Sequence, residues 1–312
     1  MNFGLIGISG FIAPRHLKAI KETNNRLIVG YDINDSVGIM DSFFPNSFFF
    51  NDFNEFDRFL ESKFNTNDKI DYMSICSPNF LHYSHIKYSL RSDIDVICEK
   101  PLVLSLEDLD KLKNEEFKTG KKVYTILQLR LHPAIISLKE KVQNSELKKE
   151  VDLIYITSRG KWYHKSWKGE RSKSGGIAMN IGIHFFDMLS YVFGDYISSK
   201  VNYISETKAS GILELKNARV RWFLSIDEND LKDDIKNRGI KTYRSILIDG
   251  EELEFSDGFT DLHTQSYQSI LNGNGFTLED SRKSIELSSN IMSSNVIGLK
   301  DDYHPYLKNI KL

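Results

Sequence analysis

Short apolar runs alternate with helical patterns from Phe3 to Leu127, and no other feature constrains the fold as strongly. Strand-like runs fall at Phe3–Ile6, Leu27–Tyr31, Tyr72–Cys76, Val96–Cys98 and Val123–Leu127. Helical patterns lie between them at Pro14–Thr23, Phe53–Phe64 and His82–Leu90. A further helix opens on the capping-box sequence Ser105-Leu-Glu-Asp108 and runs to about Lys118. Strands separated by helices of this length pair in parallel through crossover connections. Right-handed crossovers then give a doubly wound sheet whose ligands bind at the carboxyl ends of its strands.

The pattern changes after residue 122. A helix follows Pro133, and Val151–Thr157 alternates as a strand. A long basic and aromatic loop occupies Arg159–Gly176, and an amphipathic helix spans Ala178–Phe193 before Gly194. Strand-like runs then follow one another at Val201–Ile204, Ile212–Leu215, Val220–Ile226, Tyr243–Ile248 and Glu251–Phe255, with an Asp249-Gly250 turn signal. Consecutive strands with such turns predict an antiparallel sheet. Helices are expected at His263–Leu271 and Leu278–Met292. The expected fold class is α/β: an N-terminal doubly wound parallel sheet over 1–122, and an α/β domain with an open, largely antiparallel sheet over 123–312.

The chain has 312 residues, a formal charge of −2 and 12 % aromatic residues, enough to fill two cores. The near-neutral balance opposes nucleic acid as a partner, since phosphate neutralisation needs a basic face. Cys76 and Cys98 each close an apolar run, as expected of buried thiols in a reducing cytoplasm rather than a disulfide. The first residues lack a basic segment and a small-residue cleavage site, so no signal peptide is expected. No apolar run approaches the roughly 20 residues of a membrane span, so no membrane partner is expected.

Five local patterns carry chemistry. The first is Gly7-Ile-Ser9-Gly10-Phe11-Ile12-Ala13, between a strand and a helix. Glycines at such a turn admit a pyrophosphate to backbone N–H groups at a helix N-terminus. Ser9 and Ile12 occupy two glycine places of the usual fingerprint, so the pattern by itself is equally an ordinary tight turn. Asp32 at the end of the next strand supplies the context, because a carboxylate there takes ribose hydroxyls. No Arg follows it to receive a 2′-phosphate, so NAD is expected rather than NADP.

The second pattern is Ser77-Pro-Asn79 followed by His82 and His85. Histidines three apart without further ligands do not make a zinc site, and no metal is expected. The third is Glu99-Lys100-Pro101, where a strand-end lysine can polarise a hydroxyl or exchange a proton, or else be merely solvated. The fourth is Gly175–His184, in which Asn180 and His184 share a helical face. The fifth is the loop itself, where Arg159, Lys161, Lys165, Lys168, Arg171 and Lys173 stand against Glu170 among Trp162, Tyr163 and Trp167. A solvated loop explains the charges, but exposed aromatics need a stacking partner, and an anionic ligand with a flat base fits both.

Taken in order, these motifs resemble the Gfo/Idh/MocA oxidoreductase family. The segments Tyr31–Gly38, Tyr155–Gly160, Ala218–Leu224 and Phe255–His263 are similar to those of its members acting on nucleotide sugars. The resemblance implies a Rossmann-type NAD domain and oxidation of the sugar 3-hydroxyl of UDP-N-acetylglucosaminuronate, in the biosynthesis of bacterial surface polysaccharide. It implies Lys100 and His184 as the catalytic pair and a cis peptide before Pro101. It places the cofactor on Gly7, Ser9, Gly10, Phe11, Ile12, Asp32, Asn34, Ser77, Asn79, His82, Glu99 and Lys100. Substrate contacts fall to Lys100, Arg159, Tyr163, Lys165, Trp167, Asn180 and His184. A cytoplasmic homotetramer handing its product to an aminotransferase completes the expectation. A dehydrogenase of another sugar or polyol, and a non-catalytic NAD-binding homologue, are the alternatives. Asn180 stands where many members carry Asp, and an amide cannot ionise to raise the basicity of His184.

Overall fold

The structure, a computed structural model, describes residues 1–144, 147–253 and 261–309. The chain forms two compact units, Met1–Leu131 with Gly258–Arg282, and His132–Asp257 with Lys283–Leu312.

The first unit is built on β1 (Asn2–Ile6), β2 (Arg26–Tyr31), β3 (Phe48–Phe50), β4 (Tyr72–Ile75), β5 (Asp95–Cys98) and β6 (Val123–Thr125). Their order is β3-β2-β1-β4-β5-β6, and every ladder is parallel. The crossovers carry α1 (Ala13–Glu22), α2 (Ile39–Phe43), α3 (Phe53–Lys63), α4 (His82–Arg91) and α5 (Leu106–Thr119). The inner strands read as continuous apolar runs because helices cover both faces; Phe3, Leu5, Val96 and Ile97 are fully buried. Leu17 and Ile20 of α1 are buried too, each contributing roughly 1.5–3 kcal/mol. Asp52 and Ser105 cap α3 and α5 as their positions demand, Ser105 Oγ accepting the Asp108 N–H at 3.1 Å.

Three expectations change here. The apolar pattern shows no element between Tyr31 and Phe53, yet α2 and β3 lie there; β3 is an edge run of three phenylalanines without alternation. The first unit extends past residue 122, because β6 pairs with β5. It also gains the distant helix Leu262–Leu271, whose Tyr267 ring stacks on Phe3 at 5.7 Å. Tyr267 and Ile270 join Leu17 and Ile20 in one core.

The second unit starts with α6 (Pro133–Gln143) and β7 (Lys149–Thr157). β8 (Tyr196–Ile204), β9 (Lys208–Leu215), β10 (Ala218–Ser225), β11 (Thr242–Ile248) and β12 (Glu251–Glu252) complete a sheet in the order β12-β11-β7-β10-β9-β8. Only the β7–β10 ladder is parallel among those described. Asp249 and Gly250 both have positive φ, as the tight β11–β12 turn requires. Glu254 and Phe255 of the expected last strand lie outside the described residues. Phe186 packs edge-to-face on Trp222 with centroids 5.4 Å apart, joining the helix before Gly194 to the sheet.

The stretch Arg171–Phe193 is long and apolar enough, by length and composition, to cross a membrane, contrary to the expectation that no run reaches that length. Its most apolar window is 78 % buried inside the protein, as a core helix is. The expected loop 159–176 holds short helical turns at Trp162–Lys165, Trp167–Gly169 and Arg171–Ser174.

Candidate cofactor and catalytic site

The order of the first sheet reverses between β1 and β4, and ligands of such sheets bind at the strand ends there. Gly7 follows β1 with φ +89°, and a Cβ on it would lie 2.6 Å from Cys76 C and Ser77 N after β4. Only glycine meets both demands, so backbone alone lines this point. The Gly10 N–H donates to Gly7 O at 3.0 Å, and Ala13 N–H to Gly10 O at 3.1 Å, leading the turn into α1. The glycine pattern is therefore a strand-to-helix turn at the switch point, suited to a pyrophosphate.

Asp32 closes β2 and is buried. Its Oδ2 accepts the Ser9 N–H and its Oδ1 the Asn34 N–H, both at 3.0 Å. Oδ1 also accepts the Asn34 side-chain amide at 3.4 Å, so Oδ2 keeps a lone pair for a hydroxyl, while the carboxylate charge repels a phosphate. Phe11 and Ile33 are 87 % and 76 % exposed beside these polar groups, and Phe80 is exposed after β4. Ile33 and Phe80 carry no sequence motif; their only signal is apolar character at a strand end.

Ser77, Asn79, His82 and Glu99 are buried at the ends of β4 and β5, with Lys100 half-buried beside them. His82 Nδ1 lies 2.8 Å from Pro101 O and Nε2 2.8 Å from Ser77 O. Burial lowers its pKa, against the pull of the two carbonyl oxygens, which raise it. His82 thus ties the Ser77 and Pro101 segments together. The Lys100–Pro101 peptide is cis. His85 Nδ1 meets Ser77 Oγ at 2.8 Å, and burial pushes its pKa down to about 4.

Glu99 faces inward. Its Oε1 accepts from His16 Nε2 at 3.0 Å and from His263 Nε2 at 2.9 Å. Its Oε2 accepts the Lys100 backbone N–H at 3.2 Å. Burial by itself would raise this carboxyl, but the two histidine bonds outweigh it and hold the pKa well below the usual carboxylate range. Each bond to the charged group contributes about 1.5–3 kcal/mol. His16 and His263 were not singled out by any motif.

In the second unit, Tyr163 is buried and its hydroxyl accepts from Asn180 Nδ2 at 2.6 Å. Two separate substrate candidates are thereby joined. Asn180 lies in a π-helical turn, Ala178–Gly182, that leads into the helix Ile183–Phe193 carrying half-buried His184. Such widened turns occur frequently at functional sites. Lys168 Nζ lies 5.5 Å from the ring centroids of both Trp162 and Trp167, and burial lowers its pKa. The loop's aromatics thus serve one another and one of its cations. Lys173 pairs with Glu170, and Arg171 donates to Met292 O. Arg159, Lys161 and Lys165 are exposed.

The oxidoreductase-family model for an NAD-binding Rossmann fold matches residues 1–127, and the family's C-terminal alpha/beta domain matches 139–229. The chain belongs to the Gfo/Idh/MocA oxidoreductase family. Its similarity extends along the whole chain to the WlbA (WbpB) dehydrogenase from Thermus thermophilus. That protein in complex with NAD and alpha-ketoglutarate is 46 % identical, at a TM-score of 0.93, over 98 % of this chain and 99 % of that one. In complex with NAD and UDP-GlcNAcA it matches at 45 % identity, the same TM-score and the same coverage. Glucose-6-phosphate 3-dehydrogenase from Bacillus subtilis (strain 168) is 27 % identical over 207 residues, 64 % of this chain. The match spans 56 % of that relative's length, little more than half. As a Gfo/Idh/MocA protein this chain is an oxidoreductase, and NAD is the cofactor of its Rossmann fold.

Proposed function

We propose that this dehydrogenase oxidises the sugar 3-hydroxyl of UDP-N-acetylglucosaminuronate to the 3-keto sugar. The observation that carries the reading is the near full-length likeness, at 45 % identity, to a dehydrogenase in complex with NAD and UDP-GlcNAcA. The exposed cations Arg159, Lys161 and Lys165 add to it, since the substrate brings a diphosphate and a carboxylate that need donors. In this reading the first unit is the cofactor domain and the second the substrate and assembly domain. Homotetramer formation, a cytoplasmic location and transfer of the ketone to an aminotransferase belong to the same proposal.

The residues at the strand ends fit a dinucleotide. The Gly7–Ala13 turn, with Ser9, Gly10, Phe11 and Ile12, would hold the pyrophosphate. Asp32 and Asn34 would take the adenosine ribose, and Ile33 would cover the adenine. Ser77, Asn79, His82, Glu99 and Lys100 would line or support the nicotinamide end. NAD, when bound, supplies the hydride acceptor. The imidazole of His184 takes the proton of the 3-hydroxyl while Lys100 donates a hydrogen bond to the same oxygen and stabilises its developing negative charge. Asn180, anchored on Tyr163, orients the substrate without ionising. Tyr163, Lys165 and Trp167 shape the wall that meets the nucleotide sugar.

Asp32→Ala is expected to weaken NAD and narrow its preference over NADP, read as the ratio of kcat/KM for the two cofactors. A preference for NADP in the unmodified protein would overturn the ribose assignment. The substrate is tested by incubating UDP-N-acetylglucosaminuronate or UDP-N-acetylglucosamine with NAD, following NADH absorbance and product mass. The uronate is expected to be the far better substrate. Arg159→Glu should raise KM for the uronate at least ~10-fold, the scale of a lost charged contact, with KM for NAD little changed. Equal turnover of both sugars would favour the broader sugar-dehydrogenase alternative.

A further inference from the structure

We infer that Glu99, held by His16 and His263, is a positioning residue that sets Lys100 in place and links it to the dinucleotide turn. This rests on the reading of Lys100 given above.

An ionised Glu99 can only accept, which sets one direction of donation along a buried chain. Ser74 Oγ lies 2.6 Å from Tyr267 Oη, and Tyr267 Oη 2.7 Å from His16 Nδ1. With Ser74 donating to Tyr267, and Tyr267 to His16 Nδ1, the remaining proton of His16 sits on Nε2 and points at Glu99. Burial lowers the His16 pKa, which keeps that ring neutral. His263 donates its Nε2 proton to the same oxygen. The other carboxylate oxygen receives the Lys100 N–H. Ser74, Tyr267, His16, Glu99 and His263 are all buried, so no water competes for these bonds.

The elements joined are informative. His16 lies on α1, the helix that starts at the glycine turn. Lys100 directly follows the Glu99 at the end of β5. His263 and Tyr267 sit one turn apart on the helix Leu262–Leu271. One carboxylate therefore fixes the turn's helix, the Lys100 backbone and a segment from far along the chain.

The same three side chains, His16, Glu99 and His263, could also hold a metal ion. The contact distances favour hydrogen bonds. Ligands around zinc at about 2.0–2.1 Å would separate N and O to roughly 3.3 Å, beyond the 2.9 and 3.0 Å present.

Glu99→Gln discriminates well, because a carboxamide cannot accept on both sides. Its NH2 must face either the two histidine donors or the Lys100 N–H. We expect kcat to fall at least ~10-fold, a larger factor than any loss of NAD affinity by calorimetry. The second comparison is His263→Leu against His263→Gln, since the glutamine amide can restore a donor near Nε2. His263→Leu should lower kcat, and His263→Gln should recover at least half of the loss. Folded Glu99→Gln with kcat within 2-fold of the parent would overturn the inference. So would equal losses in the two His263 variants. Stoichiometric metal in the purified protein, lost in His16→Gln, would replace it with a metal site. The parent is assayed first: no turnover of the uronate there counts against the proposed function, whereas turnover that Glu99→Gln retains counts only against this inference.

Discussion

Lys100→Met is expected to lower turnover of UDP-N-acetylglucosaminuronate by at least ~10²-fold, while the folded protein still binds NAD. Methionine keeps most of the side chain's length and apolar stem but has no donor and no charge. In the proposed mechanism the lost step is stabilisation of the oxygen that becomes negative as the hydroxyl proton departs. Cofactor binding is spared because the glycine turn and Asp32, which carry most of it in the proposed reading, lie at the ends of other strands. Steady-state kinetics with calorimetric NAD titration separates the two effects. A well-folded variant turning over at near-parent rate would remove Lys100 from the mechanism.

His184→Asn carries the second large effect. An amide has no basic nitrogen, so in the proposed mechanism the 3-hydroxyl loses its proton acceptor, and kcat is expected to fall by ~10²-fold or more. The sign of the pH dependence follows from the role. A base acts only when neutral, so parent kcat/KM declines as pH drops and the imidazole protonates. The variant's residual activity should lose that acid limb. If the acid limb stays unchanged in His184→Asn, the titrating base lies elsewhere, and Lys100 takes its place. Asn180 sharpens this test. It is hydrogen-bonded to Tyr163 and contributes no charge of its own, so it adds no carboxylate titration to the profile.

The alternation of apolar runs and helical patterns determined the parallel sheet, because strand and helix periods are properties of neighbouring residues. The same holds for the glycine turn, for Asp32 at a strand end and for the cap at Ser105, whose Oγ accepts the Asp108 N–H. Motif chemistry likewise marked Glu99-Lys100-Pro101 and Asn180–His184, since each is a short run with a recognisable donor set. Tertiary structure decided what the side chains of those motifs meet. Glu99 meets His16 and His263 across 83 and 164 residues of chain, and His16 meets Tyr267 across 251. Nothing local distinguishes a buried histidine that feeds a carboxylate from one on an ordinary helix face. The same limit hid the extent of the first unit, because an amphipathic pattern at Leu262–Leu271 shows that a face is buried but not against which core. Periodicity and capping act within a few residues, whereas burial and hydrogen-bond partners are set only when distant segments pack together.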